Sequence, residues 1–271
     1  MTRVLVTGGT GVLGREIVSR LLEKGDTVRV MSRSPRRGTT NVEWAPAQLL
    51  TGEGLPEALQ DVDVVIHALA DRNFGKTDVE MTHLLLEKAK AVKIGYFLYI
   101  SIVGIDKLPA APARIKLACE ALVRDRGIPY ATLRFTQFYE LVDTMLHLLT
   151  WLPIGFLPMD WKMQPIDAGD TADQVVRVVN ERSLGLLPDV AGPEVLTFKE
   201  MLRTWKHVRG SHKLVLHLPI PGKFAAAGRN GLLPAPNAHV GKSTWGQWLH
   251  RRYSHARQTG EKIGPVYSLR G

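Results

Sequence analysis

The sequence predicts an α/β fold, with a doubly wound parallel sheet followed by a smaller carboxyl-terminal lobe. Two features of the 271-residue chain support this prediction. In the first 135 residues, short apolar runs alternate with helical patterns, which is typical of repeated β–α–β units. After Phe135 this alternation stops and an aromatic-rich stretch begins. A chain of this length buries roughly 70–75% of the surface that it exposes when unfolded, so a substantial core is expected.

The first half of the chain contains six predicted strands and four predicted helices. The strands are expected at residues 3–7, 27–32, 42–45, 62–67, 96–101 and 130–135. The helices are expected near residues 11–24, 52–59, 77–92 and 113–126. Gly25 and Gly127 directly follow two of these helices, at the position where a glycine commonly ends a helix.

The second half of the chain has a less regular pattern. Residues 138–161 predict a helix followed by a loop that contains two prolines. A short strand is expected near 164–166, a helix over 170–181, a strand near 187–191, and helices over 198–208 and 242–253. Residues 254–271 are expected to form a poorly ordered tail.

The basic residues are concentrated near the end of the chain. From Thr197 onward there are thirteen Lys and Arg but only two acidic residues, Glu200 and Glu261. This part of the chain is either an anion-attracting surface or an ordinary solvated basic face. No helix-turn-helix, zinc-ligand or RNA-binding aromatic motif accompanies the charge, so nucleic acid is not expected as a partner.

Several classes of protein are disfavoured by simple absences in the sequence. No apolar run approaches the roughly 18 residues of a spanning helix, so no membrane partner is expected. No signal peptide is visible, and Cys119, the only cysteine, cannot form an internal disulfide. No His or Cys pairs have metal-ligand spacing, so no metal is expected. The predicted protein is cytoplasmic, and a monomer or a weak homo-oligomer.

The strongest local signal is a glycine-rich turn between the first strand and the first helix. It runs Thr7-Gly8-Gly9-Thr10-Gly11-Val12-Leu13-Gly14. Gly8 permits the tight turn, Gly11 lets the backbone approach a pyrophosphate, and Gly14 lets the helix pack on the strand. The helix that follows offers free N–H groups and a positive dipole end to the phosphates. This arrangement predicts a Rossmann-type dinucleotide site.

The spacing Thr-Gly-x-x-Gly-x-x-Gly, with the stretches at 99–106, 136–138 and 164–167, resembles the atypical, NmrA-like branch of the short-chain dehydrogenase/reductase superfamily. The resemblance covers residues 1–253. It implies a single NAD(P)-binding Rossmann domain over 1–253. A substrate-binding lobe is expected to form mainly from residues 136–165 and 192–253.

NADPH is the expected cofactor, because the second strand ends in serines and arginines where a NAD site places a carboxylate. Arg33 is placed to pair with a 2′-phosphate. The alternative interpretation is that Arg33 belongs to a basic surface loop that binds no cofactor. The loop and the resemblance together imply these cofactor-binding residues: Gly8, Thr10, Gly11, Val12, Leu13, Gly14, Ser32, Arg33, Arg37, Gln48, Ala68, Leu69, Ala70, Ser101, Lys116 and Phe135.

The catalytic residues of the superfamily are only partly present. The superfamily places a proton-donating Tyr four residues before a Lys that binds the nicotinamide ribose. Lys116 stands where that Lys belongs, but the residue four positions earlier is Pro112. Tyr139, two residues after Gln137, is either a candidate proton donor or a residue that lines the pocket. The expected substrate-binding residues are Gln137, Phe138, Met145, Trp151 and Trp161.

Three functions remain open at this point. The first is an NADPH-dependent ketoreductase for an aromatic or polycyclic, polyketide-like substrate, similar to the Tyr-less angucyclinone-type enzymes of antibiotic biosynthesis. Its proton would come from a substrate hydroxyl or from water. The second is a redox-inactive NADP(H)-sensing regulator of the NmrA type. The third is an aryl-ether or isoflavone-type reductase that uses Lys116 as acid and base.

Overall fold

The computed structural model describes residues 1–33, 41–70, 75, 77–107, 110–149, 154–221, 228–229, 235 and 238–259, with the backbone alone for 255–259. The elements up to residue 135 are β1 (Arg3–Thr7), α1 (Val12–Glu23), β2 (Thr27–Ser32), β3 (Glu43–Pro46), α2 (Leu55–Leu59), β4 (Val64–His67), α3 (Asp78–Ala91), β5 (Tyr96–Ile102), α4 (Ala111–Asp125) and β6 (Tyr130–Phe135). They are followed by α5 (Tyr139–Leu149), β7 (Gly155–Leu157), β8 (Lys162–Met163), α6 (Ala168–Glu181), β9 (Gly185–Leu186), β10 (Val190–Ala191), β11 (Leu196–Thr197), α7 (Phe198–Arg209), β12 (Val215–His217), β13 (His239–Val240) and α8 (Trp245–Thr259).

The chain divides into two compact units. The first contains Met1–Arg134 and Thr171–Pro188. Its sheet has the strand order β6-β5-β4-β1-β2-β3, and β9 pairs with β6. The pairings of β1 with β2 and β4, of β2 with β3, and of β4 with β5 are parallel. This order, which reverses beside β1, is that of a Rossmann-type fold and confirms the predicted fold class.

The core of the first unit lies between the sheet and its helices. Leu5, Val65 and Phe97 from the sheet pack in one buried cluster with Leu85 of α3 and Cys119 of α4. The central strands β1 and β4 are buried along almost their whole length, which is why their sequences are continuous apolar runs. The full burial of Cys119 gives its thiol a packing role in this cluster.

The second unit contains Phe135–Asp170 and Asp189–Gly271. Its core is aromatic: Tyr139 of α5, Trp205 of α7, and Trp245 and Trp248 of α8 are buried in one cluster. The strands here are short. Val190 of β10 pairs with Phe135, β8 pairs with β11, and β7 pairs with β12. The unit includes both segments that were assigned to the substrate-binding lobe, whose role in binding stays a prediction.

The structure corrects three details of the predicted elements. The helix expected from residue 52 begins at Leu55, because Gly52 and Gly54 both have left-handed backbone conformations. The strand expected at 164–166 lies instead at Lys162–Met163. The predicted tail is wrong at its start, since α8 continues to Thr259. Within the described residues, every helix is too short or too polar to cross a bilayer.

Candidate cofactor and catalytic site

The predicted cofactor residues of the first unit converge because the parallel strands are in register. Thr7 at the end of β1 pairs with Met31 of β2 and with His67 of β4, and His67 in turn pairs with Tyr99 of β5. The segments that follow these strands therefore leave the sheet at one edge. This is the carboxyl edge, where open parallel sheets bind their ligands.

The glycine turn forms a close-fitting cradle at this edge. Gly8 has a φ of +72°, and a Cβ there would lie 2.8 Å from the carbonyl oxygen of Ala68. A Cβ on Gly14 would lie 2.1 Å from the carbonyl oxygen of Gly8. Both positions therefore require glycine. The Gly11 amide donates to the Gly8 carbonyl over 2.8 Å, which closes the turn.

The start of α1 is suited to an anion. Its N-cap residue, Gly11, offers no side-chain cap, and the first turn contains no acidic residue. The positive end of the helix dipole and its free N–H groups therefore lack a partner from these side chains. Thr10 and Val12 flank this point and are half-buried, whereas the Leu13 side chain is buried. The geometry fits a dinucleotide pyrophosphate.

The end of β2 provides the predicted ribose contacts. Ser32 is the last residue of β2, and the exposed Arg33 follows it. The Ala47 amide donates to the Ser32 carbonyl, which brings the loop after β3 to the same edge. Gln48 follows in that loop and is exposed. Arg37 lies outside the described residues.

Two further segments border the same edge. The residues that follow β4 are Ala68, Leu69 and Ala70, and the Ala68 carbonyl lies next to Gly8. Ser101, near the end of β5, is 3% exposed, and its hydroxyl has no hydrogen-bond partner among the described residues. A buried hydroxyl without a protein partner is expected where a bound molecule supplies one.

Lys116 lies in the middle of α4 and is buried in the first unit. Its ammonium is 2.9 Å from a carboxylate oxygen of Asp78, the first residue of α3. It also donates to the Tyr99 hydroxyl over 3.2 Å. The Asp78 side chain is 3% exposed, so the charges of the two groups compensate one another out of water. Pro112, one helical turn before Lys116, has no proton to donate.

Tyr99 does not take the place of the missing tyrosine. It is 1% exposed. Burial, together with its hydrogen bond to Cys119, raises its pKa well above the ordinary value for a phenol. It therefore stays neutral and serves as a fixed support for the Lys116 ammonium.

His67 completes the polar cluster beneath the site. Its Nδ1 lies 2.7 Å from the Thr7 hydroxyl, and its Nε2 lies 3.2 Å from the Thr82 hydroxyl. Burial and the nearby charge of Lys116 lower its pKa to about 3. The imidazole is therefore neutral near pH 7 and forms a hydrogen-bonding link between β4, β1 and α3.

The predicted substrate residues belong to the second unit. Phe138 is half-buried and bridges to Ile166, while Met145 and Trp161 pack against the aromatic core cluster. The Gln137 side-chain oxygen is buried without a hydrogen-bond partner in the described part of the chain. Phe135 is buried in this unit as well. Trp151 lies outside the described residues. The roles of these residues in binding stay predictions.

The position of Tyr139 argues against its predicted role as a proton donor. The side chain is fully buried between Trp245 and Trp248, and its hydroxyl donates to the Ser243 carbonyl over 2.8 Å. Burial raises its pKa above the ordinary value for tyrosine. A phenol held in this way stabilises the core of the second unit.

Residues 8–181, more than half of the chain, match the model of a family described as NAD(P)H-binding. The chain belongs to this NAD(P)H-binding family. NAD(P)H is therefore its cofactor class, which agrees with the glycine cradle and the unpartnered Ser101 hydroxyl in the described part of the first unit.

Two curated relatives differ in what their names describe. The photosystem II assembly factor Ycf39 of Cyanophora paradoxa is 32% identical over 148 residues, which is 51% of this chain and 46% of that protein. This chain thus spans about half the length of that relative. The (4-alkanoyl-5-oxo-2,5-dihydrofuran-3-yl)methyl phosphate reductase of Streptomyces griseus is 28% identical over 220 residues, or 76% of this chain and 74% of that protein.

A solved structure shares the fold. The NADPH-dependent quinone oxidoreductase QOR2 of Escherichia coli, in complex with NADPH, matches with a TM-score of 0.77 over 92% of this chain and 99% of that chain. The two sequences are 17% identical, so the likeness concerns the fold alone.

Sequence reasoning missed Asp78 as the partner of Lys116. An acidic residue at the start of a predicted helix is normally explained by the helix dipole, and Asp78 fits that description. No local pattern links it to α4. The pairing arises because α3 and α4 pack against each other in the folded unit.

Proposed function

We propose that this chain is an NADPH-dependent reductase of a ketone on an aromatic or polycyclic small molecule, acting without the usual tyrosine acid. The observation that carries the proposal is the buried Lys116, held by Asp78 and Tyr99 in an NAD(P)H-binding unit that has Pro112 one turn before it. The reductase from Streptomyces griseus, which covers most of the chain, supports the reaction class.

In this proposal Lys116 binds and orients the nicotinamide ribose of the cofactor. It does not replace the tyrosine as the proton donor. An ammonium has three N–H donors, and two of them face Asp78 and Tyr99. The third is assigned to the nicotinamide ribose. NADPH, when bound, supplies a hydride to the carbonyl carbon. Asp78 keeps the ammonium in one orientation, and this placement lowers the entropic part of the barrier.

The proton for the carbonyl oxygen is assigned to the substrate itself or to water. Positions 112 and 113 hold Pro and Ala, and the Tyr99 and Tyr139 hydroxyls are buried and engaged. A ketone beside a phenolic or enolic hydroxyl carries its own donor, and the internal hydrogen bond polarises the carbonyl. An apolar aromatic substrate also suits the predicted contacts Phe138, Met145 and Trp161.

The first experiment is NADPH consumption by the purified protein with pairs of aromatic ketones. In each pair, one member has a hydroxyl adjacent to the carbonyl and the other has a methoxy group there. We expect turnover of the hydroxylated member and little of its partner. Equal turnover of both members would contradict the proposed proton source. Tight NADPH binding without consumption of NADPH would contradict the reductase proposal itself.

The choice of NADPH over NADH is assigned to Arg33. Arg33→Ala should weaken NADPH binding about tenfold or more, since a charged hydrogen bond to a phosphate contributes on the order of 1.5–3 kcal/mol. NADH binding should change little. Titration of both nucleotides, followed by intrinsic fluorescence, measures the two effects. The control is Arg15→Ala, which removes an exposed arginine of α1. Equal losses for NADPH and NADH would refute this assignment.

A second function, nucleotide sensing without turnover, is favoured by one structural feature and one comparison. Lys116 forms a compensated buried ion pair, which is also what a purely structural lysine does. The similarity to an assembly factor supports the same alternative. In that case NADPH binds, no ketone is reduced, and Lys116→Ala alters the binding of a partner.

A further inference from the structure

The second unit contains a two-stranded parallel ribbon formed by β7 and β12. Leu216 lies directly opposite Phe156, and Val215 and His217 lie opposite Gly155 and Leu157. Two further hydrogen bonds extend the pairing, from the Gly155 amide to the Leu214 carbonyl and from the Leu218 amide to the Leu157 carbonyl. We call this element the β7–β12 ribbon.

The two faces of the β7–β12 ribbon have different surroundings. Because successive side chains alternate between faces, Leu157 and Val215 point the same way, and both pack against the aromatic core cluster. The opposite face carries Phe156, which is 49% exposed, and Leu214, which is 54% exposed. The other members of this outer face are also exposed and apolar: Ile154, Leu216 and Leu218.

This outer face is unusual for a surface in contact with water alone. Single exposed leucines are common, but five large apolar side chains on the same side of a short ribbon form a continuous patch. None of the five carries a hydrogen-bond donor or acceptor in its side chain. The patch therefore suits an apolar environment, and a nucleic acid offers a poor match for it.

The chain around the β7–β12 ribbon is strongly basic. Residues 201–260 contain ten Lys and Arg and not a single Asp or Glu. Lys213 directly precedes Leu214, and the last turn of α7, just before β12, carries Lys206, His207 and Arg209. At the other end of β12, Arg229 donates to the Ile220 carbonyl and pairs with Asp160 over 3.8 Å.

We propose that the β7–β12 ribbon docks on the surface of an anionic lipid bilayer. Helices that lie in the membrane interface combine Leu and Phe on one face with Lys and Arg on the other. The β7–β12 ribbon supplies the apolar face, and the segments that adjoin it supply the basic residues. Each lysine near an anionic bilayer adds electrostatic attraction, which salt weakens. The apolar side chains enter the acyl boundary, while the long side chain of Lys213 and the basic end of α7, which flank the ribbon, lie at the level of the headgroups.

Other occupants fit this surface less well. Two copies of the chain would bring the same basic segment together, and like charges repel. Protein interfaces are enriched at their centres in Trp, Tyr and Arg, with Leu under-represented, whereas this outer face has three leucines and no Trp, Tyr or Arg. The sequence predicts no membrane partner on the ground that no segment spans a bilayer. Docking at the interface needs no spanning segment, so the ribbon revises that expectation.

Vesicle sedimentation of the full chain tests the proposal. One set of vesicles contains phosphatidylcholine alone, and the other contains phosphatidylcholine and phosphatidylglycerol in equal parts. We expect binding to the anionic vesicles, weaker binding in high salt, and little binding to the neutral ones. The double variant Leu214→Ser/Leu216→Ser should lower the affinity on the order of tenfold or more.

The control is Leu184→Ser/Leu186→Ser, which changes two exposed leucines at the same spacing in the first unit and should bind vesicles like the unchanged protein. Thermal unfolding and NADPH affinity verify that both variants remain folded. Lys213→Gln should weaken binding to the anionic vesicles, whereas Lys90→Gln, which changes a lysine of α3, should not.

Any of several results would overturn the proposal. They are absence of binding to anionic vesicles, equal binding to both lipid compositions, anionic binding that survives Leu214→Ser/Leu216→Ser, and a lipid-free dimer that this variant dissociates. The last result would identify the occupant as a second copy of the chain. Binding to duplex DNA in place of vesicles would assign the charge to nucleic acid and would overturn the proposal too.

Discussion

Each unit of the molecule contains a deeply buried carboxylate, Asp78 in the first and Asp143 in the second, and the polar clusters around the two are built differently. In the first unit, Asp78 lies against the flexible Lys116, whose ammonium also contacts Tyr99. In the second unit, the fully buried Asp143 accepts hydrogen bonds from Trp205, Tyr253 and Arg252. Both clusters join neighbouring helices.

The two clusters differ in the groups that compensate the charge of the buried carboxylate. Asp143 is contacted by Trp205 of α7 and by Tyr253 and Arg252 of α8, and His147, one helical turn later in α5, completes the cluster. Burial alone would raise the pKa of Asp143, but the hydrogen bonds from His147, Tyr253 and Trp205 outweigh it and hold the pKa below its usual value. This carboxylate is saturated and serves stability. Asp78, by contrast, pairs with the ammonium of Lys116, whose remaining donor is assigned to a ligand.

The largest expected effect is on stability in the second unit. Asp143→Asn places an amide NH₂ among groups that are themselves donors, and it removes the charge facing Arg252. We expect the free energy of unfolding to fall by about 3 kcal/mol. Urea unfolding measures this change. The control is Asp160→Asn, whose exposed 3.8 Å ion pair with Arg229 should contribute at most about 1 kcal/mol.

If Asp143→Asn lowered the free energy of unfolding as little as Asp160→Asn, the stabilising role assigned to the Asp143 cluster would be contradicted. This result would mean that the Asp143 cluster is not the main polar link among α5, α7 and α8, despite its complete burial.

The next effect separates function from stability in the first unit. Lys116→Met leaves Asp78 buried without its cation, so it should reduce both stability and turnover, the latter by about a hundredfold. The double variant Lys116→Met/Asp78→Asn removes both charges. We expect it to regain most of the lost stability but none of the lost turnover. Urea unfolding and NADPH oxidation with the best ketone of the panel measure the two quantities.

If turnover recovered together with stability in the double variant, Lys116 would have only a structural role. The two clusters would then be equivalent, and the sensing alternative would gain support. If neither quantity recovered, additional partners of Asp78 would have to account for the loss.

The smallest effect concerns the pH dependence of stability through His67. Its pKa is lowered to about 3 in the folded protein, against an ordinary value of 6.5. Between these values the unfolded chain binds a proton that the folded chain does not, so stability falls as the pH falls through this range. Replacement by His67→Asn should make that slope shallower by about 1 kcal/mol per pH unit between pH 4.5 and 6.

Unfolding free energies measured at several pH values provide the test of the His67 prediction. His83→Asn, on the exposed side of α3, serves as the matched control and should leave the slope unchanged. A slope that is unaffected by His67→Asn would show that this histidine is accessible to protons in the folded state, which would conflict with its position between Thr7 and Thr82.

The sequence predicted the first unit well because its signals are local. A strand, a glycine turn and a helix follow one another within residues 3–23, and each glycine has a steric reason that short-range geometry defines. Parallel strands then bring their carboxyl ends to one edge, so the positions of Ser32, Ala68 and Ser101 near strand ends are enough to place them at the same edge of the sheet. The bounds of β1, β2 and β6 agree with their predictions to the residue.

The sequence was less informative about the second unit. The prediction for Tyr139 relied on its nearness to Gln137 along the chain, but α5 turns the side chain into an aromatic core formed with α8, far away in sequence. The strands β7 and β12 were not predicted either. They are three residues long, and an apolar run of that length has no distinct periodicity.

The sequence by itself determined the fold class, the glycine-rich turn, the NAD(P)H-binding character of the family and the absence of a tyrosine four residues before Lys116. All of these depend on residue type and local spacing. Only the tertiary structure decided that Asp78 balances Lys116, that Tyr139 is core, and that the outer face of the β7–β12 ribbon is exposed. Burial and charge pairing are set by which helices and strands pack together, and residues far apart in the chain carry no mark of that contact.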